Sequence, residues 1–168
     1  YSIDEAFVDM SSTYQLFGIP EETAHIIKNR IRDELGFTVN VGVASNKLLA
    51  KMASDFKKPD MVHTLYPDEI ERKMWPLPVE DLFFVGHATA RKLRNLGIRT
   101  IGQLAQSDIG MLRTHLKSAA DVIWNFANGL DFSSVITAPP ANKGYGNSTT
   151  IPYDVTDTES ANVVLLAL

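Results

Sequence analysis

Asp4 and Glu5 stand side by side between an apolar Ile3 and the apolar pair Phe7-Val8, in the opening stretch Tyr1-Ser-Ile-Asp-Glu-Ala-Phe-Val-Asp-Met10. Adjacent carboxylates supply the hard oxygen ligands that magnesium takes. Magnesium with phosphate is the chemistry of phosphoryl or nucleotidyl transfer. Neighbouring side chains of a regular strand point to opposite faces, so two acids serving one site need a strand end, a turn or a bulge. Taken alone, the ten residues equally describe a solvated acid pair on an edge strand, and a single short motif favours that plainer reading. Downstream, Lys47, Lys51 and Asp55 recur four apart, and Lys57-Lys58-Pro59 follows. Lysines act as point charges for phosphate, and the same stripe fits a solvated helix face. The histidines at 25, 63, 87 and 115 show no metal-ligand spacing. With no cysteine, a disulfide scaffold and a thiolate metal site are both excluded.

These residues need elements to hold them. The alternation over 37–44 predicts a strand, paired in a sheet with the opening stretch. Ser45 is the expected N-cap of the helix that follows, with Leu48, Leu49 and Met52 facing the sheet. A helix N-terminus beside a sheet offers free amides to an anion. Between the two strands, Pro20-Glu21-Glu22 starts a helix that Gly36 ends. Ala24, Ile27, Ile31 and Leu35 mark its apolar face, and Lys28, Arg30 and Arg32 read as solvated. Residues 61–66 predict another strand. From Pro67 the chain reads as all-helical, with a hairpin at Phe84-Val-Gly-His-Ala-Thr89 and a helix over 90–96 ended by Gly97. Leu112, Leu116, Ala119, Val122, Ile123 and Phe126 read as core, and Trp124 as a packing residue. Ala138-Pro-Pro-Ala-Asn142 has the composition of a linker, and residues 159–168 begin a further helix.

The 168 residues, 45% apolar and 21% charged, allow one large domain or two small ones with a proper core. A net charge of -4 does not advertise a nucleic-acid binder, but basic residues gather at 47–58 and 91–99, and distribution matters more than the total. No apolar run approaches a membrane span and no signal peptide opens the chain. The start lies inside a motif, so the natural N-terminus is expected upstream.

Ser2-Ile3-Asp4-Glu5-Ala6-Phe7-Val8-Asp9 resembles the S-I-D-E-A-[FY]-L-D signature of the Y-family DNA polymerases, the DinB/UmuC translesion group. The stretch Thr38-Val-Asn-Val-Gly-Val-Ala-Ser-Asn-Lys-Leu-Leu-Ala-Lys-Met-Ala-Ser-Asp-Phe-Lys-Lys-Pro59 is similar to that family's T-x-S-x-G-[IV]-[AS]-x-N-K-x-[LF]-A-K-x-A-[AS]-x-x-x-K-P. Two long blocks in the right order are far more specific than either alone. Residues 84–105 resemble the family's helix-hairpin-helix, G-[IV]-G-x-x-[ST]-x-x-K-L…L-G-I, and residues 143–150 its entry into the little finger. Phe84 stands where the hairpin has its first glycine. Phenylalanine resists positive φ, so an altered turn is expected there.

The resemblance implies an α+β fold. Residues 1–66 would be the C-terminal part of a polymerase palm, an antiparallel sheet with helices on one face and the catalytic carboxylates. Residues 67–138 would be a small all-helical thumb that binds DNA through the helix-hairpin-helix, and residues 139–168 a linker and the start of a little finger. The implied activity is DNA-directed DNA polymerisation (nucleotidyl transfer) in translesion synthesis and DNA repair, with two Mg2+ ions. Asp4 would ligate metal, and Glu5 would ligate or orient the metal nearer the primer. Lys58 would contact the triphosphate of the incoming nucleotide, and Lys51 would lie near the active site and its DNA. At the hairpin, Gly86 would admit a DNA phosphate to the backbone amides, with His87, Lys92 and Arg94 beside it. The implied partners are primer-template DNA, a dNTP and a sliding clamp reached through a C-terminal region absent here. No membrane is involved, and the setting is cytoplasmic and nucleoid-associated. The family's D-x-D-x-F-F motif and its fingers are not found, so these residues are expected to be an incomplete fragment, inactive alone. Two rival classes stay open: a non-catalytic DNA-binding module using the hairpin and basic stripe, and a structural or interaction domain with solvated carboxylates.

Overall fold

Pro20 fixes the first turn of a helix at no loss of hydrogen bonding, since its missing N–H would have had no partner there. In the computed structural model, which describes residues 4–136 and 144–168, it opens α2 (Pro20–Leu35), which follows a single turn, α1 (Tyr14–Phe17). Glu21 and Glu22 occupy the first turn, and Gly36 ends the helix at φ 73°. Of the face the apolar spacing selects, Ala24 is buried, while Ile27 and Leu35 are exposed. Thr23 and Lys28 are buried as well, and Ile26 is exposed. Lys28, expected to be solvated, is only 6% exposed. Its ammonium lies 2.9 Å from Asp60 Oδ1, and a charge is buried only where an opposite one meets it.

The opening stretch departs from expectation too. Residues 5–10 form no helix or strand. The strand that was to pair with them, β1 (Val41–Val43), instead pairs with β2 (Val62–Thr64), in the register Val41↔Val62, Gly42↔His63, Val43↔Thr64. The expected antiparallel sense is corrected with it, because this pair is parallel. Between the strands runs α3 (Lys47–Asp55), a crossover that returns the chain to the end it left, as parallel strands require. Helix and strand approach closely enough that a Cβ on Gly42 would fall on the carbonyl oxygen of Ala50. Leu48, Leu49, Met52 and Ala53 are buried from α3.

A 3-10 turn, Pro67–Glu69, leads into α4 (Ile70–Lys73), and a second, Val79–Asp81, precedes α5 (His87–Asn95). Then come α6 (Ile101–Ala105), α7 (Ile109–Leu116) and α8 (Ala119–Ala127). The α+β class holds, and the described residues from 67 to 136 carry helices and no strand. One continuous core joins Leu49 of α3 to Leu65, Met74, Leu93, Leu112 and Ile123. Trp124 packs against it, with its indole N–H donating to the Ser107 carbonyl. The chain divides into two compact units, Tyr1–Val135 and Ile136–Leu168. The second contains α9 (Thr158–Ala167), capped by Asp157 through the Ser160 amide at 2.8 Å. The expected linker at 138–142 and the start of the little-finger match at Lys143 lie outside the described residues.

Candidate active site

On a helix, residues four apart face the same way, so Lys51 and Asp55 meet along one side of α3. Lys51 Nζ is 2.9 Å from Asp55 Oδ2 and 2.7 Å from Glu5 Oε1. The other oxygen of Asp55 reaches Lys58 Nζ, also at 2.9 Å. The result is a chain of alternating charge, Glu5–Lys51–Asp55–Lys58. It brings an acid of the first motif to two lysines of the second. The Lys51 side chain is only 17% exposed. Burial works against its charged form, but the hydrogen bonds and charges of Glu5 and Asp55 outweigh burial and raise its pKa. Burial likewise pushes Asp55 up, and Lys51 and Lys58 more than reverse this and hold it below the ordinary aspartate value. Asp4 precedes Glu5 and is exposed. The sequence placed Asp55 on the lysine stripe without giving it a task. The signal that could have found it was its position four residues after Lys51 and three before Lys58.

Asp4 and Glu5 are accessible hard-oxygen donors, and the Glu5 carboxylate already attracts a cation, the Lys51 ammonium. They fit a divalent ion as two of its ligands. Among the described residues no three His, Cys, Asp or Glu side chains converge as a metal site.

The start of α3 is not the anion site that the sequence suggested. Ser45 is not its cap. Asn46 is, its Oδ1 accepting from the Leu49 amide at 2.8 Å. The Leu48 amide donates to Asp131 Oδ2 at 3.2 Å, and Asn46 Nδ2 donates to the Gly129 carbonyl at 2.8 Å. A carboxylate from the end of the helical region has taken the place of an external anion. Burial raises the pKa of Asp131, but Ser133, the Leu48 amide and the nearby Lys47 charge together hold it low.

The hairpin is built the other way. Phe84 keeps a left-handed turn at φ 76°, so the expected alteration does not occur. Such a conformation costs on the order of 1–3 kcal/mol for a residue with a side chain. The Phe84 ring, in a residue 63% exposed, packs edge-on to Phe126 at 6.2 Å and tilted to Phe83 at 6.4 Å, contacts that offset part of that strain. Gly86 is the N-cap of α5 and supplies no side-chain acceptor. Its φ is -78°, and a Cβ there would meet nothing within 4 Å. Nothing among the described residues requires glycine at 86. His87, Arg91 and Lys92 are exposed on α5, while Arg94 is held by Glu80 at 2.6 Å.

Residues 1–55 match the impB/mucB/samB family, and residues 67–98 match the IMS family HHH motif. The sequence is 50% identical over 169 aligned residues to DNA polymerase IV of Clostridium acetobutylicum, an alignment that takes in all of this chain and 42% of that protein. The chain belongs to the Y family of DNA polymerases. DNA polymerase IV of Acetivibrio thermocellus is 40% identical over 170 residues, again with all of this chain and 43% of the relative. This Y-family chain thus spans less than half the length of the curated relatives it matches. Among solved structures, DinB from Sulfolobus solfataricus superposes with a TM-score of 0.62 at 28% identity, over 73% of this chain and 37% of that one. Polymerases of this family are generally metal-dependent. No helix among the described residues is long and apolar enough to cross a membrane.

Proposed function

We propose that these residues form part of a template-directed DNA polymerase of the translesion type, acting in DNA repair at the nucleoid. The observation that carries the reading is the charge chain from Glu5 through Lys51 and Asp55 to Lys58. It links Glu5, which the first motif assigns to metal, directly to Lys51, which the second motif sets near the site and its DNA, and through Asp55 to Lys58, which that motif assigns to the nucleotide. Residues 1–66 serve as the end of the palm, 67–138 as the thumb and 139–168 as the entry to the little finger.

Asp4 and Glu5 would hold Mg2+, with further ligands from outside these residues. The bound ions would supply charge stabilisation for the attacking and leaving oxygens of an in-line displacement. Lys58, whose side chain is 63% exposed, is accessible to the triphosphate of a dNTP. Lys51 fixes the orientation of the Glu5 carboxylate. The primer-template is gripped at the hairpin. There the uncapped amides at the start of α5 donate to a backbone phosphate, Gly86 leaves room for its approach, and His87 and Lys92 add polar and charged contacts. Such contacts position DNA without reading its sequence, which suits an enzyme that must accept damaged templates.

Primer extension with Mg2+, by a full-length polymerase carrying these 168 residues, tests the reading. Asp4→Ala and Glu5→Ala should each lower the rate by about a hundredfold or more, since metal ligation carries several kcal/mol of the barrier, with DNA affinity retained. Extension unaffected by both substitutions would overturn the metal assignment and leave a DNA-binding module.

A further inference from the structure

We propose that Asp55 is a positioning residue of this site, presetting the Lys58 ammonium for an incoming nucleotide triphosphate while holding Lys51 against Glu5. The inference rests on the reading above and assigns a task to a residue that neither motif reading used. Asp55 spends its two oxygens on different lysines, Oδ2 on Lys51 and Oδ1 on Lys58, both at 2.9 Å. Lys51 is enclosed and anchored a second time at Glu5, so Asp55 sits between an enclosed cation and an exposed one. A free lysine side chain loses rotamer freedom when a ligand immobilises it. With Asp55 holding Lys58 at the C-terminal end of α3, part of that ordering precedes the nucleotide.

A surface ion pair between residues three or four apart is commonly worth little, so the competing account is that Asp55 merely screens two lysines. The two accounts differ in sign. Screening alone opposes an anion, so Asp55→Asn, which removes one negative charge, would tighten triphosphate binding. Positioning predicts the reverse.

The measurement is the Kd of the correct dNTP, with Mg2+, for a full-length polymerase carrying this chain on a dideoxy-terminated primer-template, where no chemistry occurs. Asp55→Asn should weaken dNTP binding by about three- to tenfold with DNA affinity unchanged, and Asp55→Glu should recover part of the loss. In a Lys58→Ala background Asp55→Asn should add little, because residues that act through one another are not additive. An unchanged or tighter Kd in Asp55→Asn, or a fully additive loss in the double variant, overturns the positioning role. If Lys58→Ala itself leaves the Kd unchanged, the triphosphate assignment fails and the positioning role with it. If Lys58→Ala weakens binding and Asp55→Asn does not, only the positioning role fails. Should Asp55→Asn not fold, Asp55→Glu decides: a changed dNTP Kd at unchanged thermal midpoint and DNA affinity supports the role, and an unchanged Kd overturns it.

Discussion

Two helix N-termini, at α3 and α5, are each expected from sequence to meet phosphate, and they end differently. The first turn of α3 is closed from within. Asn46 takes the Leu49 amide and Asp131 takes that of Leu48. The first turn of α5 begins at Gly86, with no side chain to accept from it. Both helices start with unpaired donors. What separates them is whether the chain returns a carboxylate to the spot. A helix dipole and a row of amides are generic, so the anion they receive is decided by what else lies close. At α3 it is part of the protein. At α5 no side chain of the described residues caps the helix, and among them nothing lies within 4 Å of where a Cβ on Gly86 would stand.

The contrast can be broken from either side. The largest effect should come from opening α3. Asp131→Ala removes a charged partner from the Leu48 amide and should destabilise the fold by about 1–2 kcal/mol, read as a lowered denaturant midpoint. Next comes closing α5. Gly86→Asp places an acceptor where Gly86 has none and should weaken binding of duplex DNA by about tenfold, read by fluorescence anisotropy. Stability should move by only a few tenths of a kcal/mol, because glycine and aspartate differ little as N-caps. The smallest effect is a local response to acid. Asp131 titrates below the ordinary aspartate value of 3.8, so the unfolded state binds the proton more readily than the folded one. The cap's contribution is therefore complete above that value and disappears as the pH falls through the folded one. Hydrogen-exchange protection of the Leu48 amide should drop in that acid range in the wild type and show no such step in Asp131→Ala. The readout must be local, because Glu69, pulled down to about 2 by Lys73 and the Tyr66 amide despite its burial, adds to the global acid loss below the usual glutamate value.

Much of the helical frame was legible in the sequence. Pro20 and Gly36 mark both ends of α2, and the apolar residues of α3 turn inward as their spacing requires. These are local signals. The misreadings all concern partners distant in sequence. Residues 5–10 have strand composition, but a strand exists only where another chain segment pairs with it. The sheet's sense follows from the α3 crossover. Lys28 is buried because Asp60 reaches it, and nothing in the periodicity of α2 announces that. Ser45 and Asn46 are both good capping types; Asn46 is the one that also bonds Gly129, 83 positions away. The site shows the same division. The Lys51–Asp55 stripe is written in helical spacing, whereas the Lys51–Glu5 contact spans 46 positions and appears only on folding. The left-handed turn at Phe84 was missed for a related reason. Its ring has neighbours in Phe83 and Phe126 that help hold a conformation glycine would adopt unaided.

The bond between the first turn of α3 and residues 129–131 also sets an order of events during synthesis. α3 is made with Asn46 as its only cap, and the residues that complete its first turn follow 83 positions later. At about 5–20 residues per second, a ribosome needs roughly 4–17 s to supply them. The lysine-bearing helix is thus made early and finished late, and a nascent chain halted short of Asp131 carries that helix with an open end.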